Sequence, residues 1–232
     1  MLSMRFLKRF APALAALLVG ACDTQTPTAC CALGTPSLRV VNGFTTPVEV
    51  SIDGNVAISS LAAGEIATAA PTSGGHSLSL RPVGGGVSST QSISTTTGGM
   101  TTVAAVRSLS GSVSATVLDD TNSVVPAGAT KVRVLHLAPT AGTLQVYRTQ
   151  PDFPTPVSWQ FPFNYQAEPT SLSAPFYQST VGTWEVRVWP TPADASGWAN
   201  APVRISIPLE SGQKATVVIL DKPGGGVKVE KL

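Results

Sequence analysis

Thr97-Gly98-Gly99-Met100-Thr101-Thr102-Val103-Ala104-Ala105-Val106 and Ser211-Gly212-Gln213-Lys214-Ala215-Thr216-Val217-Val218-Ile219-Leu220 are one pattern written twice, 114 residues apart. Few side chains are identical, but the polar, turn and apolar positions coincide. The correspondence runs without a gap from Thr90–Leu118 to Arg204–Leu232. Upstream, GGHSLSLRP at 74–82 matches GTWEVRVWP at 182–190, and Leu38-Arg39-Val40-Val41-Asn42 matches Val132-Arg133-Val134-Leu135-His136. The offset grows from 94 through 108 to 114, so the second copy gains about 14 residues near 149–181 and six near 191–203. A long internal repeat means a duplicated structural unit.

Each unit is written in the period of a strand. Val48-Glu49-Val50-Ser51-Ile52 alternates apolar with polar and stops at Asp53-Gly54, and Trp184-Glu185-Val186-Arg187-Val188 alternates likewise. Ala215–Leu220 is continuously apolar, which predicts a strand buried on both faces. Gly84-Gly85-Gly86 and Gly224-Gly225-Gly226 lack the Lys-Ser/Thr ending of a phosphate loop and read as hairpin turns. No amphipathic helix follows residue 22. The fold expected is all-β: two tandem immunoglobulin-like antiparallel β-sandwich domains, at 37–122 and 130–232, the second with an aromatic and Pro-rich insertion.

Ahead of the repeats, Arg5, Lys8 and Arg9 precede a short apolar run from Ala11 to Val19 and then Gly20-Ala21-Cys22. This order is that of a secretory signal peptide, and the run is too short to span a bilayer. Val19-Gly20-Ala21-Cys22 resembles the bacterial lipobox, which implies cleavage after residue 21 and a lipid on Cys22. Residues 22–36 then read as a lipidated flexible tether, polar and Pro-punctuated. Asp23 resembles the inner-membrane retention signal of enterobacterial lipoproteins, and the leaflet stays open. The expected location is the cell envelope, membrane-anchored, on the periplasmic or cell-surface face.

Processing also changes the charge. The whole chain has 15 Lys+Arg against 13 Asp+Glu, and the leader holds three of the bases and none of the acids. The mature chain is therefore nearly neutral, with no basic stripe for nucleic acid. Cys30 and Cys31 are adjacent; free thiols, a strained vicinal bridge and an intermolecular link all remain open. Asp119-Asp120-Thr121-Asn122 lacks the spacing and Gly of a calcium loop and reads as a linker, and no metal or cofactor motif is found. His136 shares a strand face with Val132 and Val134 and reads as the end of a core stripe with a local hydrogen bond.

VRVLHLAPTAGTLQVY, VGTWEVRVWPT and SGQKATVVILDK together resemble the exported bacterial family catalogued as domain of unknown function 4397. The resemblance covers about residues 37–232. It implies an extracytoplasmic β-domain, often lipidated and often tandem, and brings no activity or site residues. In the first repeat Asn42 stands where the family commonly shows the His seen here as His136.

The aromatic residues are unevenly placed. After the leader Phe44 stands alone, and every other aromatic lies between Tyr147 and Trp198. Trp159, Phe161, Phe163 and Tyr165 alternate between prolines and are expected to pack inward; Trp189 and Trp198, beside Pro-rich turns, are expected to face outward. The reading is a non-catalytic envelope lipoprotein, an interaction or structural module with a protein or glycan partner. The alternative is a carbohydrate-binding surface using Trp189, Trp198, Trp184 and Trp159. A third reading, a secreted hydrolase, needs His136 in a cleft beside a Ser and an acid. Cys22→Ser is expected to abolish incorporation of labelled fatty acid and leave an uncleaved or membrane-released precursor; equal labelling of both forms would refute the lipid anchor.

Overall fold

A computed structural model describes residues 34–118, 124–149, 157–158, 176–190 and 201–232. All of its regular elements are strands, sixteen in number: β1 (Ser37–Asn42), β2 (Val48–Ile52), β3 (Asn55–Leu61), β4 (Ile66–Ala69), β5 (Gly74–Pro82), β6 (Ser89–Thr95), β7 (Met100–Arg107), β8 (Val113–Leu118), β9 (Ala129–Leu137), β10 (Leu144–Thr149), β11 (Val157–Ser158), β12 (Tyr177–Thr180), β13 (Gly182–Pro190), β14 (Val203–Leu209), β15 (Lys214–Asp221) and β16 (Val227–Lys231). Among the described residues no helix is long and apolar enough to cross a membrane.

Four four-stranded sheets form: β4-β1-β7-β8, β3-β2-β5-β6, β12-β9-β15-β16 and β11-β10-β13-β14. The first two close on a core that includes Leu38, Val40, Val48, Val50, Leu78, Leu80, Val103 and Ala105. The last two close on Val132, Val134, Val146, Val186, Val188, Val217 and Ile219. These are the alternate residues of each strand, as the period of two requires.

The two sandwiches match strand for strand and register for register. Val40 lies beside Val103 in the first, and Val134 beside Val217 in the second. Val50 faces Leu80, and Val146 faces Val188; Leu80 faces Ser89, and Val188 faces Val203. The Asp53-Gly54 turn between β2 and β3 has both residues at positive φ, 50° and 80°, the conformation of a two-residue type I′ hairpin.

In connectivity the structure differs from the immunoglobulin expectation. That order would put the first, second, fifth and fourth strands together; here the first and fourth join the seventh and eighth. The sheets are also not wholly antiparallel, because β1 runs parallel to β7 and β9 to β15. The reason is parity. Each link reverses the chain, so odd strands run one way and even strands the other. The β1–β7 and β9–β15 neighbours are odd with odd.

The inner sheets are apolar on both faces, and their outer faces meet. Val41, Ala104, Val106 and Leu118 of the first sandwich cluster with Leu135, Leu137, Val218 and Leu220 of the second, with Ile66 and Leu232 packed beside them. The stack has four layers, and the continuous run Ala215–Leu220 is buried along its whole length. By the strand registers, Val41 is the counterpart of Leu135, Ala104 of Val218, Val106 of Leu220 and Leu118 of Leu232. Each copy therefore offers the same patch to the other, the arrangement of an isologous dimer inside one chain.

Close approach at this seam requires glycine. A Cβ on Gly43 would lie 2.8 Å from the Leu137 Cβ, and one on Gly64, at φ +76°, would lie 2.0 Å from the Asp221 carbonyl oxygen. Lys228 closes the rim with 2.9 Å and 2.8 Å bonds to Glu65 and Glu230.

Leu220→Ala is expected to cost about 2–5 kcal/mol, the usual range for a truncated core leucine. It is also expected to lower amide protection in both sandwiches together, read at Val50 and Val146 by hydrogen exchange. Loss confined to β9–β16 would show that the seam does not couple the two halves.

Candidate functional site

His136 has zero exposure, and burial lowers its pKa, partly offset by the Gly142 carbonyl and the charge of Asp221. Its Nε2 lies 2.7 Å from the Gly142 carbonyl, which can only accept, so Nε2 carries the proton. Nδ1 is then the acceptor for the Ala138 N–H at 3.3 Å. The imidazole is neutral and both nitrogens are engaged in holding the β9–β10 turn. The equivalent position in the first sandwich is Asn42, also fully buried, whose Oδ1 accepts the Phe44 N–H at 2.9 Å. Asn42 Nδ2 donates to the Leu61 and Thr46 carbonyls. An amide and an imidazole thus do the same work, accepting the N–H two residues on while donating to a loop carbonyl.

A second pair of equivalent positions sits at the other end of each sandwich. His76 Nε2 donates to the Thr72 carbonyl at 2.9 Å, and Trp184 Nε1 donates to the Thr180 carbonyl at 3.0 Å. Both bonds pin the bend that enters β5 or β13. Around them the copies diverge. His76 Nδ1 donates to Asp53 Oδ2 at 2.7 Å, and Asp53 Oδ1 accepts the Ser77 N–H at 2.8 Å. With an acceptor on each nitrogen, the imidazolium is favoured: the Asp53 bond first, then the Thr72 carbonyl, raise the His76 pKa. The same bond lowers that of Asp53.

In the second sandwich the Arg148 guanidinium lies over the Trp184 ring, 4.6 Å from its centroid, and donates to Ser179 Oγ. Burial lowers the Arg148 pKa. Trp184, one of the candidate ligand-binding aromatics, is half-buried: it packs against the core, and Arg148 lies over a face of its ring. Trp189 faces Gln145 in the β10–β13 ladder, and its side chain lies outside the described residues. So do Trp159, Trp198, Phe161, Phe163, Tyr165, Cys22, Cys30, Cys31 and the Asp119–Asn122 linker.

The outward face of β13 carries a buried ion cluster that sequence reasoning missed. Glu185 accepts from Arg187 Nε and, through both carboxylate oxygens, from Arg204 Nη2 at 2.9 and 3.1 Å. Glu185 and Arg187 are buried, whereas their first-copy counterparts are Ser77 and Ser79. The only signal was two charged residues at alternate positions of an otherwise apolar strand. Among the described residues no group of three His, Cys, Asp or Glu side chains is placed to hold a metal.

Two hollows among the described residues add to this geometry. One, of about 370 Å³, opens at the β9–β10 and β15–β16 end of the second sandwich between Thr140, Leu144, Pro202, Val203, Lys222 and Val227. The other, of about 350 Å³, opens between edge strands β3 and β4 and includes Ile52, Asp53, Val56, Ala69, Pro71 and His76.

With this geometry in place, comparison with known families gives one match. Residues 36–147 match the family described as domain of unknown function 4397. The match begins at the first strand and runs through all of the first sandwich into β10. No curated protein matches the chain.

Two outcomes test the side-chain assignments. His136→Asn is expected to keep most of the stability, while His136→Ala leaves the Ala138 N–H and the Gly142 carbonyl unpaired and costs about 1–3 kcal/mol, read by denaturant melts. The histidines are also expected to move stability in opposite directions with pH. The raised pKa of His76 gives a contribution that is full below 6.5 and lost as pH rises through the folded value. Asp53 adds a contribution present above 3.8 and lost as pH falls through its lowered value. His136 is the reverse of His76, its contribution falling away as pH drops below 6.5. His76→Gln should therefore lower Tm more near pH 5 than near pH 9.

Proposed function

We propose that this chain is a cell-envelope lipoprotein, lipidated at Cys22, in which two copies of the family domain form one rigid interaction or structural module without catalytic activity. The lipobox-like Val19-Gly20-Ala21-Cys22 supports the anchor, and the polar stretch to residue 36 supports a tether. The matched registers support the tandem reading, although the family match itself reaches only residue 147. The observation that carries the module is the isologous seam, which buries the outer faces of both inner sheets and makes two domains one block. Such a block suits a spacer or a docking element held off a membrane.

The other readings draw less support. Carbohydrate binding through Trp184 is disfavoured by Arg148 lying over its ring, which leaves Trp159, Trp189 and Trp198 as the candidates. Hydrolysis through His136 is disfavoured by its complete burial and by the two backbone groups that occupy its nitrogens.

Photo-crosslinking of the full-length lipidated protein in its own envelope is the test. A defined crosslinked partner is expected, and it should be lost when Cys22→Ser frees the protein from the membrane. Ester or peptide turnover by the purified protein that disappears in His136→Asn would refute the proposal in favour of a hydrolase.

A further inference from the structure

The two copies differ most where the first has a hollow, and the difference says what fits there. The strand registers map Ala69 of the first copy onto Tyr177, Ile52 onto Arg148 and His76 onto Trp184. At all three positions the second copy has the bulkier side chain. There, Arg148 stacks on Trp184 and bonds Ser179, and the half-buried Tyr177 stands opposite the core residue Val132. The second copy fills its own sandwich mouth with side chains. In the first copy the same place is the 350 Å³ hollow.

The hollow has the features of a site as well as a gap. Val56 stands at its rim 56% exposed, an apolar side chain left in water beside apolar walls. The Asp53 side chain is 52% exposed although both its oxygens already hold His76 and Ser77, so it is fixed in place with acceptor capacity to spare. One wall is β3, the edge strand of its sheet, exposed at Asn55, Val56 and Ala57. An exposed edge offers unpaired N–H and C=O groups to an added strand, and a neighbouring pocket then reads that strand's alternate side chains.

The geometry points to this hollow as a docking site for an extended segment of a partner protein that adds to β3 and inserts a tyrosine or tryptophan side chain. The ring replaces what the second copy supplies from its own sequence, and its O–H or N–H donates to Asp53. The inference rests on the interaction-module reading and names the element that carries it.

The test uses the full-length protein, lipidated and isotope-labelled in detergent micelles. The probe is a capped heptapeptide, Thr-Ser-Thr-Tyr-Thr-Ser-Thr, with versions carrying Phe, Leu or Arg at the centre. The Tyr peptide is expected to shift the amides of Val56, Ala57, Ala69 and Thr72, and to bind about tenfold more tightly than the Leu or Arg peptide. Asp53→Asn should remove the advantage of Tyr over Phe. Ala69→Tyr, which puts the second copy's residue into the hollow, should abolish binding while leaving amides of the second sandwich unmoved. The inference fails if the Tyr peptide shifts none of these amides, if Ala69→Tyr binds as well as wild type, or if the Arg peptide or a neutral oligosaccharide takes the site instead. An envelope partner crosslinked equally by wild type and Ala69→Tyr would sink this hollow and leave the module standing. Peptide binding without any envelope partner would do the opposite.

Discussion

The structure depends on one apolar seam. Strands β1, β7, β9 and β15 are buried on one side by their own sandwich and on the other by the opposite copy, so each pays for its place twice in apolar side chains. Burying a valine or leucine side chain contributes about 1.5–3 kcal/mol. A sheet of Val and Ala with one face in water would instead be an association hazard. The duplication answers that hazard within the chain. Because the interface uses equivalent positions from both copies, a single unit would carry a self-complementary sticky face. Two units in tandem consume it.

From this constraint follows a division of labour. The inner sheets cannot vary without disturbing both copies, and glycine is held at residues 43 and 64 by contacts across the seam. The outer sheets face away and have diverged. Their outward residues are Ser and Thr around Ser77, Ser79 and Ser92 in the first copy, and in the second an Arg-Glu-Arg cluster in which Glu185 and Arg187 are buried and Arg204 is exposed. The sandwich ends have diverged as well, from His76 and Asp53 to Trp184 and Arg148. What persists at those ends is a bond, not a residue. The ring N–H of residue 76 or 184 donates to the carbonyl four residues back, and the side-chain acceptor of residue 42 or 136 holds the N–H two residues on.

Strand positions and the internal repeat were legible because both rest on period and offset, which need no partner. The apolar run Ala215–Leu220 even announced burial on two sides. The parallel pairing of β1 with β7 was not legible, since alternation looks the same in either direction. Nor was the coincidence of Asn42 with His136, because an amide and an imidazole share no sequence signature, only a hydrogen-bonding pattern. The hollow beside Ala69 was hidden for a further reason. An alanine opposite Leu38 reads as core, and its meaning appears only when Tyr177 is found opposite Val132.

Sheet order also sets how the block bears load. The chain enters the first sandwich through β1, which is a central strand, bonded to β4 over four residue pairs and to β7 over six. A pull on the segment ahead of Ser37 runs along β1, across all of those bonds at once. They are loaded together in shear, whereas an edge strand could be peeled one bond at a time. A load entering ahead of Ser37 is thereby met by a strand held along both of its edges, which must slip past two neighbours before it can leave its sheet.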